Sequence, residues 1–177
     1  MDRDADRALL AQVARRDHAA FAALVERYGA RLLAVARRLL SGRADAEDAV
    51  QRALLQVYLN ASAYRPEWAV STWLYRILTN ICIDELRRRE TRASHADATR
   101  RLARSAAAPA GAGDLDLRRA LQRVPREARV LLALHYVDGL SYQELARARG
   151  ISVNTVKSQL ARGKAILRQR LQEGDLP

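Results

Sequence analysis

The chain has 177 residues, about one domain on the usual ~150-residue scale, or two small helical domains of ~60 to 90 residues each. Thirty-one Lys and Arg stand against 20 Asp and Glu, a net charge of +11 in which Lys157 and Lys164 are the only lysines, and that excess favours a polyanionic partner, nucleic acid or an anionic membrane face. A single cysteine, Cys82, excludes an intrachain disulfide framework, and the scattered His18, His95 and His135 leave no cluster at metal-ligand spacing. No apolar run has signal-peptide or membrane-spanning length, so the expectation is a soluble cytoplasmic protein without metal or cofactor.

Apolar residues recur at three and four positions, not at two, and β-branched residues are sparse, so the predicted fold is all-α. Phe21, Leu24, Tyr28, Leu32, Val35 and Leu39 mark one face of a long first helix that Asp17 can cap and Gly42 can end, with Arg31, Arg37 and Arg38 on the other face. A second helix is predicted from Asp45, burying Val50, Leu54, Val57 and Tyr58 and turning Glu47, Asp48 and Gln51 outward. The loop from Asn60 to Trp68 follows, with Ser62, Tyr64 and Arg65 in it. A third helix after Ser71 runs to about Arg89 and buries Leu74, Ile77, Leu78 and Ile81, while Trp73, Arg76, Asn80, Ile83, Asp84 and Arg87 share the opposite face. Aromatic rings beside cations suit single-stranded nucleic acid, although Tyr64 and Trp73 serve equally well as core anchors.

Between Glu90 and Asp114 the period collapses into small residues with Pro109, Gly111 and Gly113, a composition expected of a flexible linker over residues 91–113. Periodicity returns with Leu117, Leu121 and Val124, and Pro125 suits the first turn of a helix holding Leu131, Leu132 and Leu134 that Gly139 would end. Two helical domains, 1–90 and 114–177, are therefore predicted, with net charges of +3 and +5 on either side of a +3 linker.

Within the second domain, Ser141 and Glu144 form a capping box, Ala146 is small where two helices would cross, Gly150 can make the turn, and Ser152 can cap the next helix. Leu145, Ile151, Val156 and Leu160 then pack inside a helix-turn-helix, leaving Asn154, Thr155, Lys157, Ser158, Gln159 and Arg162 outward to reach base edges and phosphates. From Leu145 to Leu171 there are seven cations, Arg147, Arg149, Lys157, Arg162, Lys164, Arg168 and Arg170, and no acid, whereas a merely solvated helix mixes signs.

DAEDAVQRALLQVY (Asp45 to Tyr58), STWLYRILTNICIDELRRR (Ser71 to Arg89) and the helix-turn-helix stand in an order and spacing that resembles the extracytoplasmic-function sigma factors of bacterial RNA polymerase. The resemblance spans nearly the whole chain apart from the first residues and the linker. It implies that Asp45, Glu47, Asp48 and Gln51 dock on the coiled coil of the polymerase β′ subunit, and that the β flap and an anti-sigma factor are further partners. It also implies that the loop Asn60, Ser62, Tyr64 and Arg65, with Trp73, Arg76, Asn80 and Arg87, reads and melts the minus-ten element, and that the outward set from Asn154 to Arg162 reads the minus-thirty-five element. Three acids at a helix N-terminus are favourable without any partner, by ~0.3 to 1 kcal/mol each. Departures from the family pattern are Arg52 in place of an acid, Leu54 and Val70 where Phe is frequent, Tyr58 where Trp is frequent, and Gly163 where Ala is common; on an exposed helix that glycine would cost up to ~1 kcal/mol.

No nucleophile, base and orienting group stand together and no glycine loop could cradle phosphate, so an enzyme is not expected. The competing readings are a stand-alone helix-turn-helix regulator, a sigma-like decoy that binds only an anti-sigma factor, and an amphipathic membrane-surface helix.

Overall fold

The computed structural model describes residues 3–97, 117 and 120–174, and among these there are helices and turns but no strand. Four helices make up the first half: α1 (Arg3–Ala14), α2 (His18–Leu39), α3 (Arg43–Asn60) and α4 (Val70–Asp97), with a short 3-10 turn, Ala61–Ala63, after α3. The second half holds α5 (Arg126–Asp138), α6 (Tyr142–Arg149) and α7 (Val153–Gly174).

The predicted caps form. Asp17 accepts hydrogen bonds from the amides of Ala19 and Ala20, which opens α2, and Ser141 with Glu144 makes the reciprocal box that opens α6. Gly139 (φ 71°) and Gly150 (φ 66°) end α5 and α6 in the left-handed conformation that costs glycine nothing. Gly42 has a different part from the one expected: α2 already stops at Leu39, and Gly42 is the N-cap of α3, with the Asp45 carboxylate folded over it where a Cβ would stand.

Helix α1 has no counterpart in the predicted elements. Its apolar stripe is short, Leu10 and Val13, and its third contact with the core is polar. Buried Asp6 accepts from the Tyr28 hydroxyl at 2.6 Å and pairs with Arg27. Burial first, then the Asp6 carboxylate, pushes the Tyr28 phenol well above its ordinary range, so it stays a donor to that carboxylate.

Alanines set the packing of α3. Ala46, Ala49 and Ala53 lie buried with Val50 and Val57, and the close approach they allow rotates Leu54 and Tyr58 to half-buried positions instead of the core ones expected for them. Leu55 and Leu59 stay exposed at 56% and 52%. Helix α4 buries more than one face. Leu74, Leu78 and Ile81 are in the core as predicted, Ile77 is only half-buried, and Trp73, Tyr75, Cys82 and Ile83 are buried too, because α4 packs against α2 and α3 and also against α5 and α6. The helix continues to Asp97, past the expected end near Arg89, and the remainder of the expected linker, 98–113, lies outside the described residues.

One buried cluster runs from Leu10 to Leu160 and joins both halves of the chain. In the second half its apolar members include Val130, Leu131, Leu134, Leu140, Leu145, Val156 and Leu160, with Ile151 half-buried at the turn. Arg129 is buried among them and donates to the carbonyls of Gln122 and Val124, holding the turn before α5 against that helix.

Candidate nucleic-acid interface

The segment between α3 and α4 builds a cleft of about 420 Å³ lined by Ala63, Arg65, Trp68, Trp73 and Arg76. Tyr64 holds it together: its hydroxyl donates to the Trp68 carbonyl, and its ring meets Trp73 edge-on with centroids 5.6 Å apart. The Arg76 guanidinium lies 4.9 Å from the Trp68 ring centroid, so a cation and an indole already stack at the rim. Trp73 is 9% exposed and is both core anchor and cleft wall, which reconciles its two readings. Trp68 is the cleft member whose pairing with Arg76 was not visible in sequence, since eight positions across a loop set no fixed geometry.

Asn60, Ser62 and Arg65 are exposed around this cleft, and Asn60 donates to the Gln56 carbonyl at the end of α3. Further along α4, Asn80 and Arg87 are exposed, with Arg87 3.6 Å from Asp84. Ile83, expected on this outward face, is 3% exposed and belongs to the core.

On α7 the amide of Thr155 donates to the Ser152 hydroxyl at 3.0 Å, which caps the helix at the expected residue. Asn154, Thr155, Lys157, Ser158 and Arg162 are exposed and Gln159 half-buried, so the set predicted to face outward does so. Val156 and Leu160 anchor the opposite side at 0% and 1% exposure. Gly163 has a steric reason: a Cβ there would stand 3.0 Å from Leu132 Cδ1 and 3.2 Å from Ala128 Cβ, so α7 crosses α5 where only a hydrogen fits easily. The seven cations do not share this face: Lys164 and Arg168 line a groove between α5 and α7, and Arg149 points elsewhere. Arg149 turns to the first half of the chain, donating to Asn80 and Thr79, and also to Glu127 of its own half.

The family comparisons bear on both surfaces at once. Sigma-70 region 2 matches residues 24–92, and sigma-70 region 4 matches residues 114–167. Among curated proteins the chain is 34% identical over 174 residues to the ECF RNA polymerase sigma factor SigM of Mycobacterium tuberculosis, covering 94% of this chain and 84% of that one. The chain belongs to the extracytoplasmic-function sigma factors. It is also 30% identical over 181 residues to SigW of Bacillus subtilis, covering 92% of this chain and 94% of SigW. Among solved structures, CnrH in complex with the cytosolic domain of CnrY matches with TM-score 0.74 and 28% identity over 97% of this chain and 99% of that one. RpoE of Bartonella quintana, in complex with the anti-sigma factor NepR, matches with TM-score 0.71 and 27% identity over 86% and 96%. The function of this sigma factor is promoter-directed initiation of transcription by RNA polymerase.

The acids at the start of α3 are each engaged by an arginine of the same chain. Asp45 pairs with Arg89, Glu47 with Arg43 and Arg37, and Asp48 with Arg52 at 3.4 Å. The hydrogen bond from Arg43 holds the Glu47 carboxyl below its usual range. Arg52, where the family usually has an acid, thus neutralises a neighbour one turn away. Gln51 is exposed and borders an apolar cleft of about 320 Å³ formed by His18, Phe21, Val25, Leu54, Leu55 and Tyr58. In the second half, Leu121, Leu132, Tyr136, Val137, Leu167 and Leu171 line a groove of about 630 Å³. Neither apolar surface was legible in sequence, because each is a remainder left once α3 and α7 bury a different stripe. No described helix is long and apolar enough to cross a membrane.

Proposed function

We propose that this sigma factor docks on the β′ coiled coil of core polymerase through Asp45, Glu47, Asp48 and Gln51, with the adjoining apolar cleft adding buried area. The cleft of Arg65, Trp68, Trp73 and Arg76 receives an unstacked base of the minus-ten element. Asn60, Ser62, Tyr64, Asn80 and Arg87 position the strand around it. The α7 face from Asn154 to Arg162 lies in the major groove of the minus-thirty-five element. The apolar groove on α5 and α7 takes the β flap, and an anti-sigma factor occupying the same groove would compete for it. The protein acts by binding and positioning, not by catalysis, in the cytoplasm where the polymerase works.

The observation that carries this reading is the coexistence of an aromatic, cation-rimmed cleft and an exposed recognition helix in one chain. A stand-alone regulator of duplex DNA needs only the helix, and a decoy for an anti-sigma factor needs neither. Reconstitution with bacterial core polymerase on genomic fragments, followed by mapping of transcript starts, tests it. Defined starts should appear that core alone does not produce, and a start pattern identical to that of core would overturn the assignment. Asp48→Arg should abolish co-purification with core while helicity is retained; unchanged association would remove the α3 acids from the docking surface.

A further inference from the structure

We propose that Arg7 and Arg16 are positioning residues for promoter reading: from α1 and the turn after it they hold the two ends of the loop that forms the base-receiving cleft. The proposal rests on the assignment of that cleft to an unstacked minus-ten base. Both residues precede the region 2 match, which begins at residue 24. Arg7 Nη2 donates to the Pro66 carbonyl at 2.6 Å, two residues before Trp68, the ring on which Arg76 lies. Arg16 Nη1 donates to the Tyr58 carbonyl at 2.9 Å, two residues before Asn60, and its guanidinium stands 4.9 Å from the Tyr58 ring centroid. His18 and Phe21 meet the same ring with centroids 5.8 and 5.0 Å away, so the end of α3 is gripped from the α1–α2 turn. Helix α1 is itself fixed, with Leu10 and Val13 buried and Asp6 accepting from the Tyr28 hydroxyl at 2.6 Å.

The α1–α2 turn holds the Arg16 side chain against a backbone preference. The amide of Arg16 donates to the Val13 carbonyl and that of Asp17 to the Gln12 carbonyl, the paired bonds that end a helix on a left-handed residue. Arg16 is that residue, at φ 67°, and no other non-glycine among the described residues has a positive φ. Glycine takes this conformation freely and a β-carbon opposes it, so the turn alone favours glycine; what arginine adds is the reach to Tyr58. Neither link belongs to the core. Arg16 and Pro66 are exposed, and hydrogen bonds at such places add little to global stability. Between them the loop buries Ala61 and half-buries Tyr64 and Trp68. A segment with so few apolar anchors is ordered by its ties, and losing one lowers the population of the preformed cleft without unfolding the helices around it. Strand binding that bypasses the cleft then accounts for more of the total, so preference among bases falls along with affinity.

Arg16→Gly is the decisive variant, since the turn accepts glycine and helicity should be retained. Arg7→Met removes the other donor and keeps most of the apolar stem. Two measurements apply to each: hydrogen exchange of residues 61–68 in the full free chain, and open-complex formation by the holoenzyme on promoters carrying each of the four bases at the minus-ten position where the wild type discriminates most. Exchange of the loop should speed up about five-fold or more, and the ratio between the best and the worst base should shrink by a similar factor, with affinity for core unchanged. Arg16→Lys, which keeps the charge and a donor, should restore part of the ratio. Unchanged exchange would overturn the brace. Faster exchange with the base ratio intact would overturn the positioning role, and a salt slope lowered by about one in that case would make Arg16 a phosphate contact. Trp68→Ala then shows which reading failed. If it shrinks the ratio and neither arginine variant does, the cleft assignment stands and the role of the arginines falls; if it too leaves the ratio intact, the cleft is not the minus-ten reader.

Discussion

The outward face of α7 and the cleft at the start of α4 address the same polymer by opposite means. On α7 the polar groups project from a helix whose recognition end is tied by its own first turns, Thr155 to Ser152 and the Ser158 hydroxyl to the Thr155 carbonyl. In the cleft the groups are already committed to one another: Tyr64 to Trp68, Tyr64 against Trp73, and Arg76 over Trp68. A duplex presents its information as base edges in a groove, so its reader needs protruding donors on a rigid rod. An unstacked base has lost the planes above and below it, so its reader needs a preformed slot that replaces them, and walls that brace each other lower the ordering cost on binding.

If that contrast holds, the largest effect of any single truncation lies in the cleft and spares duplex binding. Trp68→Ala removes the plane under Arg76 and should cost ~1 to 3 kcal/mol, about five- to 150-fold, in open-complex formation on a duplex promoter. Binding of the same variant to a fully paired upstream element should change little. Equal losses on both substrates would break the comparison. Replacing Asn80 and Arg87 together with alanine should act in the same direction, and open complexes as abundant as before would remove both from the minus-ten surface.

On α7 the expected effects separate by position along the helix. Lys157 lies near the N-terminus of α7, closest to base edges, and Lys157→Ala should lose ~1 to 3 kcal/mol on the matched element and relax its sequence preference. Arg168 is three turns further on and exposed, where a helix leaving the groove meets backbone only, so Arg168→Ala should weaken matched and scrambled duplexes alike and lower the salt slope by about one. Titrations of the holoenzyme at several salt concentrations distinguish the two. An equal loss on both duplexes for Lys157→Ala would make it a positioning contact only.

What could be read in sequence follows the range of the force that sets each feature. Asp17, Ser141, Glu144, Gly139 and Gly150 act within four residues of themselves, and each sits where the pattern placed it. Residue size alone puts Leu54 and Tyr58 of α3 in the core that Ala46, Ala49 and Ala53 occupy, and which stripe wins depends on how closely α2 and α4 approach. Trp73 and Ile83 were set opposite the core because a single helix wheel allows one buried face, whereas α4 is covered from both halves of the chain. The direction of Arg149 is a consequence of that same packing and has no signature in the nearby sequence. Helix α1 leaves a weak apolar signature in the sequence, since one of its three buried residues is Asp6, whose carboxylate bonds Tyr28.

The middle of α4 offers a probe of the core that lies outside both surfaces, the buried Cys82. Burial pushes the Cys82 thiol from 9.0 up to about 12. A raised folded-state value means the native protein holds this proton more tightly than the unfolded chain, so its contribution is complete below pH ~9 and is lost as pH rises toward ~12. Stability should fall by up to ~1.4 kcal/mol per pH unit across that window, and Cys82→Ala should flatten the fall. Denaturant melts of both proteins at pH 8 and 10 measure the difference. In the native state the thiol should resist alkylation at pH 8, and rapid labelling would show that α4 opens locally.

The smallest effect concerns the point where α7 is seated, and it separates helix propensity from packing. On an isolated helix Gly163→Ala should stabilise by ~0.8 to 1 kcal/mol, since alanine loses less backbone freedom. Here the added Cβ meets Leu132 Cδ1 at 3.0 Å and Ala128 Cβ at 3.2 Å, closer than carbon atoms normally pack. Leu132 can rotate away, but Ala128 can yield only if the two helices part by a few tenths of an ångström. The contacts that would loosen include those of Leu131, Val156 and Leu160, which hold the recognition helix against α5. The gain and the strain are therefore of similar size, and Gly163→Ala should leave the melting temperature nearly unchanged, whereas Gly163→Val, with larger branches and poorer propensity, should cost ~1 to 3 kcal/mol. A rise of ~2 to 4 °C for the alanine variant, the full propensity gain for a chain of this size, would show that α7 and α5 are not in close contact at this residue.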